Sequence, residues 1–108
     1  MTRITIYKDE HGDAVGFEMT GHAGYAEMGS DVVCAAISIL VCTAYNSIET
    51  LVKDSFGYEE DEDDAYMSFI LNENPSKEAK LILNSMTLGL SQLSEQYKKY
   101  LKLTFEEV

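Results

Sequence analysis

The run from Val32 to Lys53 constrains the rest of this chain more than any other stretch. Val33, Ile37, Leu40, Ala44, Ile48 and Leu51 recur at helical spacing, while Val32, Ile39 and Cys42 lie elsewhere on the wheel. Its first half is therefore apolar over most of its circumference, and such a helix is buried on more than one side. In a chain of 108 residues, some of that cover is expected to come from a second subunit. The longest apolar stretch, Val32 to Cys42, is interrupted by Ser38 and falls short of the roughly 20 residues that span a bilayer.

The material available to cover that helix is mostly strand. Arg3 to Tyr7 alternates, with Ile4 and Ile6 on one face, and Val15, Phe17 and Met19 repeat the pattern. Asp9-Glu10-His11-Gly12-Asp13 between them reads as a hairpin turn, with His11 an ordinary surface residue at its tip. Residues around Phe56 and Tyr58 form a further strand, and Tyr66, Met67, Phe69, Ile70 and Leu71 predict a well-buried one. Asn74-Pro75 then starts a second helix, asparagine as cap and proline in the first position, with Ala79, Ile82, Met86, Leu90, Leu93 and Tyr97 on one face. Leu101, Leu103 and Phe105 close the chain as a last strand. The order strand, strand, helix, strand, strand, helix, strand predicts a single α+β domain over residues 1–108, two-layered, with helices packed on a mixed or antiparallel sheet.

Charge narrows the partners. The formal net charge is −11, so the chain should repel nucleic acid and anionic membrane, and a macromolecular partner should be basic. The acidic residues Glu59 to Asp64 are consecutive. They read as a solvated hairpin tip or as a docking surface for a cationic peptide, and solvation is the simpler account. Counted from Asp61, the sixth position is Tyr66 where a calcium loop needs glycine. Met1 to Lys8 has no apolar run, so no cleavable signal peptide is expected, and the composition suits a cytoplasmic protein.

The chemistry concentrates between Gly21 and Ser38. His22 stands where the second strand gives way to a loop containing Gly21, Gly24 and Gly29, either a lid or a simple connector. Ser30 and Asp31 precede the apolar helix and either could cap it. Cys34 follows in the first turn. A thiol is nucleophilic as thiolate, which the positive end of a helix and a nearby imidazolium both favour. Asp31 either caps the helix or orients the imidazole, and capping accounts for it without further chemistry. A cysteine in an apolar helix is also, by itself, an ordinary buried hydrophobe, and that is the reading of Cys42. On one helix the two thiols stand about 12 Å apart along the axis, too far for a disulfide. The spacing of His22 and Cys34 does not suit zinc, and no metal or cofactor is expected.

The residues Gly21-His22-Ala23 and Gly29-Ser30-Asp31-Val32-Val33-Cys34-Ala35-Ala36-Ile37-Ser38 resemble the signature of the bacterial ribosomal-processing cysteine protease family. The resemblance implies that His22 and Cys34 form a catalytic pair. It implies removal of a short N-terminal extension, ending in a phenylalanine-containing segment, from the twenty-seventh protein of the large ribosomal subunit. It also implies a homodimer with a flexible loop over the site. The expected mechanism is a Cys-His dyad with an acyl-enzyme, the oxyanion held by the Cys34 amide and one from the glycine loop. The alternative from another class is a non-catalytic acidic module that escorts a basic ribosomal protein. A redox sensor would need a resolving thiol, and Cys42 is too far along the helix.

Overall fold

A computed structural model describes residues 1–27 and 31–108. Its elements are β1 (Thr2–Lys8), β2 (Ala14–Thr20), α1 (Val32–Ser47), β3 (Phe56–Asp61), β4 (Tyr66–Leu71), α2 (Lys77–Gln96) and β5 (Leu101–Glu107). The strands form one sheet in the order β3-β4-β2-β1-β5, antiparallel except where β5 runs parallel to β1. Two helices pack on this mixed sheet, the α+β arrangement that the order of elements predicts.

The sheet register explains the core. Ile6, Phe17, Phe69 and Tyr58 stand in one row across four strands, and Phe69 stacks between Phe17 at 5.5 Å and Phe56 at 4.6 Å. Val33, Ile37, Val41 and Ala44 of α1 and Ala79, Leu83, Met86 and Leu90 of α2 are buried with them. Two residues along each strand lies the parallel row Ile4, Met19, Met67 and Glu60, on the same face because side chains alternate along strands. Ile4 is buried, but Met19 and Met67 are only partly covered, and there the core opens into a cavity.

Several expectations are corrected in detail. A register shift between Tyr7 and Lys8 brings Ala14 opposite Lys8, so Ala14 is buried where alternation assigns Val15. Strand β4 alternates instead of being buried throughout: Phe69 and Leu71 are covered and Ile70 is exposed. The second helix begins later than Asn74-Pro75. Asn74 takes a positive φ of 58°, and Ser76 is the cap, its Oγ accepting from the Ala79 N–H while its own N–H and hydroxyl donate to Asp54.

Helix α1 continues into a π-helical turn, Ile48–Val52, closed by Lys53 N–H donating to the Ile48 carbonyl. The wider turn rotates the end of the helix off its 3.6-residue period, so Leu51 is exposed although Ile48 is buried. Together, Val32–Val52 make a 21-residue helix containing an 18-residue stretch of mean hydropathy 1.6, long and apolar enough to cross a membrane, against the shorter limit drawn from Val32 to Cys42. In the fold this helix lies in the core cluster through Val33, Ile37, Val41, Ala44 and Ile48, leaving Val32, Ile39 and Leu51 exposed.

Candidate active site

The site begins where β2 ends. Gly21 donates its N–H to the Ala65 carbonyl at 3.0 Å, and its own carbonyl accepts from Thr2 Oγ1 at 3.4 Å. Its φ of 82° and the Met1 carbonyl oxygen, 2.5 Å from where a Cβ would stand, leave room for glycine alone. This turn carries His22 out of the sheet into the open end of the core.

Cys34 reaches the same place from α1. Asp31 caps the helix: its Oδ1 accepts from the N–H groups of Val33 and Cys34, each at 3.0 Å. The other oxygen, Oδ2, accepts from the N–H of Tyr25 at 3.0 Å and of Ala26 at 3.5 Å. One carboxylate therefore joins the helix start to the segment behind His22. Burial pushes the Asp31 carboxyl up, but the amides of Cys34, Tyr25 and Ala26, with the Cys34 thiol, outweigh this and hold it below the ordinary carboxylate range. Across the gap, the Ala23 N–H donates to Cys34 Sγ at 3.2 Å.

His22, Cys34 and Gly21 line one cavity of about 400 Å³. Thr2, Met19, Ile37 and Met67 add apolar surface, and Glu60, Asp61, Glu62 and Tyr66 form a wall from the β3–β4 hairpin. The Tyr58 hydroxyl donates to Glu60 Oε2 at 2.5 Å. The acidic run is thus a hairpin tip, as its composition suggests, and part of it also faces the cavity.

Of the residues singled out from sequence, His22, Gly21 and Cys34 meet at the cavity, and Asp31 braces it from beside Cys34. Gly24 has a φ of 74° with open space where a side chain would be. Gly29 and Ser30 lie outside the described residues. Cys34 and Cys42 are both free and partly buried. The Cys34 amide, expected to face an oxyanion, is taken up by Asp31, and the amide directed at the sulfur belongs to Ala23. Sequence reading missed Ala23, because a backbone donor leaves no mark in residue type. It also missed Met19 and Met67, which read as strand residues until the register shows which row lies beyond the helices.

A family described as cysteine protease Prp matches residues 1–102. The ribosomal processing cysteine protease Prp of Bacillus subtilis is 32% identical, with 96% of each chain covered. A Staphylococcus aureus ribosomal processing protease Prp, solved with a covalently linked product peptide, superposes with a TM-score of 0.92 at 26% identity, covering 98% of this chain and all of that one. The same S. aureus protease solved with a substrate peptide superposes with a TM-score of 0.86 at 25% identity and equal coverage. A family match over nearly the whole chain, a curated relative of the same length and the same fold bound to peptide agree: this chain belongs to the cysteine protease Prp family.

Proposed function

We propose that this protease removes the short N-terminal extension of the twenty-seventh protein of the large ribosomal subunit in the bacterial cytoplasm, with Cys34 as nucleophile and His22 as acid and base. The observation that carries the reading is that both side chains line one cavity, with the Ala23 amide donating to the sulfur. The Cys34 thiolate attacks the scissile carbonyl carbon, and the carbonyl π electrons move to oxygen. Collapse of the tetrahedral adduct breaks the C–N bond as the His22 imidazolium gives its proton to the leaving amine. A thioester to Cys34 remains. Neutral His22 then takes a proton from water, whose oxygen attacks the thioester, releasing the new carboxyl terminus and the thiolate. Asp31 supports this as a brace, since its two oxygens hold both sides of the gap.

The cavity suits the substrate class. Its apolar wall of Met19, Ile37 and Met67 fits an aromatic-containing segment, and Glu60, Asp61 and Glu62 fit a chain drawn from a basic protein. The covalent product peptide in the S. aureus relative agrees with an acyl-enzyme here. Membership in a protease family leaves the non-catalytic escort module without support. The test is incubation with a peptide spanning the extended N-terminus of that ribosomal protein, read by mass spectrometry. One cut behind the phenylalanine segment is expected from the wild type and none from Cys34→Ser. Full cleavage by Cys34→Ser would end the reading.

The protein also acts as a homodimer on this reading, because α1 and α2 leave large apolar side chains uncovered in the single chain. Val32, Ile39, Leu51, Leu81 and Leu88 are all more than half exposed. Sedimentation of the wild type should give twice the chain mass, and Ile39→Lys with Leu88→Lys should give the monomer.

A further inference from the structure

We propose that Tyr25, Tyr97 and Tyr100 form an aromatic latch that seats the segment behind His22, and with it the Ala23 amide, against the Cys34 sulfur. The inference rests on Cys34 being the nucleophile and deepens that reading by naming residues outside the cavity that position its parts.

Tyr25 is two residues beyond Ala23 and is 45% exposed, so burial alone does not fix its place. Its ring meets Tyr97 edge-on, with centroids 5.7 Å apart and planes at 88°, and Tyr100 at 5.1 Å and 78°. These are the edge-to-face geometries that ring quadrupoles favour. The two partners stand on a fixed base where α2 turns into β5. The Tyr97 carbonyl accepts from the N–H groups of Tyr100 at 2.9 Å and Leu101 at 3.1 Å, and the Tyr100 carbonyl accepts from Thr2 N–H at 2.9 Å. Both side chains pack against the core.

Residue 25 is therefore gripped twice: its N–H goes to Asp31 and its ring to the tyrosine pair. Ala23 is itself buried in the core, but between it and Tyr25 Gly24 has a positive φ and nothing within 4 Å of where a Cβ would stand, so past Ala23 the segment is held by what grips residue 25. Tyr97 and Tyr100 are not among the described residues that line the cavity with Cys34, and their rings reach the segment behind His22 through Tyr25, which makes all three positioning residues. An N–H donated to sulfur is worth more to the thiolate than to the thiol, so the latch should be felt in the reactivity of Cys34.

The test compares full-length wild type, Tyr25→Leu, Tyr25→Phe and Tyr100→Leu. Alkylation of Cys34 by iodoacetamide is followed by mass spectrometry across pH 5.5 to 9, with Cys42 in the same chain as reference and thermal unfolding as a check on the fold. Tyr100→Leu should slow Cys34 near neutrality by roughly 2- to 12-fold, the usual strength of one edge-to-face contact, and Tyr25→Leu, which loses both contacts, by at least as much, without slowing Cys42. Tyr25→Phe, which keeps the ring, should restore the wild-type rate. Unchanged Cys34 rates in both leucine variants overturn the latch, as does a phenylalanine variant as slow as the leucine one. If Cys34 of the wild type reacts no faster than Cys42, the nucleophile reading falls and takes the latch with it. A fast Cys34 in wild type and Tyr25→Leu alike removes the latch alone.

Discussion

The carboxylate of Asp31 and the thiol of Cys34 belong to one helical turn, yet Asp31 spends only half of its hydrogen-bonding capacity on that turn: Oδ1 takes the Val33 and Cys34 amides and Oδ2 takes those of Tyr25 and Ala26. The two duties are separable by chemistry. In Asp31→Asn the remaining oxygen still accepts at the cap, but the amide nitrogen that replaces the other oxygen cannot accept from Tyr25 or Ala26. Asp31→Asn should therefore keep most of the thermal midpoint while cleavage of the peptide falls, and Asp31→Ala should lose both. Measurement of the two variants side by side checks the division.

The pH response of this clamp has a fixed sign. The Asp31 carboxyl lies below its ordinary 3.8 in the folded protein, so its contribution is complete above that value and disappears as pH falls through the lower, folded value. Near-ultraviolet circular dichroism of the Tyr25 cluster should stay flat from pH 7 to 4 and change only below.

A second carboxylate gives a cleaner acid limb. Lys80 Nζ lies 2.8 Å from Asp9 Oδ2 and joins α2 to the β1–β2 turn, where Asn84 accepts from the Ala14 N–H and donates to Asp13. The hydrogen bond from Lys80, then that from the Asp13 amide, lower the Asp9 carboxyl to about 2 against the opposing effect of burial, and the same bond raises Lys80. Stability from this contact should be complete above pH 3.8 and vanish as pH falls through about 2. Asp9→Asn should lower the thermal midpoint at neutral pH and flatten its decline between pH 4 and 2, as a series of melts will show.

The hairpin wall offers a test of substrate charge. Glu60→Gln with Glu62→Gln should raise KM for a lysine-bearing peptide by roughly two- to fivefold, the usual worth of exposed charge pairs, with little change in kcat. The difference should shrink at high salt. A peptide with the same apolar segment and no cationic residue should not distinguish the variants.

In the core, Phe69 contacts both Phe17 and Phe56 and is fully buried. Phe69→Ala should cost about 3–5 kcal/mol in urea unfolding, because the rings on either side cannot close on the space.

Residue order and alternation made the layers of this fold legible in advance, and the signature from Gly21 to Ser38 named the two residues that meet at the cavity. The corrections came where local pattern and long-range geometry part. Asn74-Pro75 carries every local mark of a helix start, but Asp54 pins Ser76 and so moves the cap two residues on. Leu51 keeps the helical period on paper and loses it in the π turn. Glu60 reads as part of a charged run, and only its pairing with Met67, itself opposite Met19, shows that it shares a face with the cavity floor. Ala23 and the tyrosines of the turn out of α2 bear on the sulfur through backbone and through distant rings, relations that no window of neighbouring residues contains.

The parallel seat of β5 beside β1 also has a bearing on birth. His22 and Cys34 are translated early, but the Thr2 N–H finds its acceptor only when Tyr100 has been made, and Tyr25 meets its rings only when Tyr97 and Tyr100 have appeared. A nascent chain still threaded through the exit tunnel at Gln96 thus carries the histidine and the thiol without the strand and rings that complete their setting. The strand and the rings that frame the site are thus the last parts of the fold to be made.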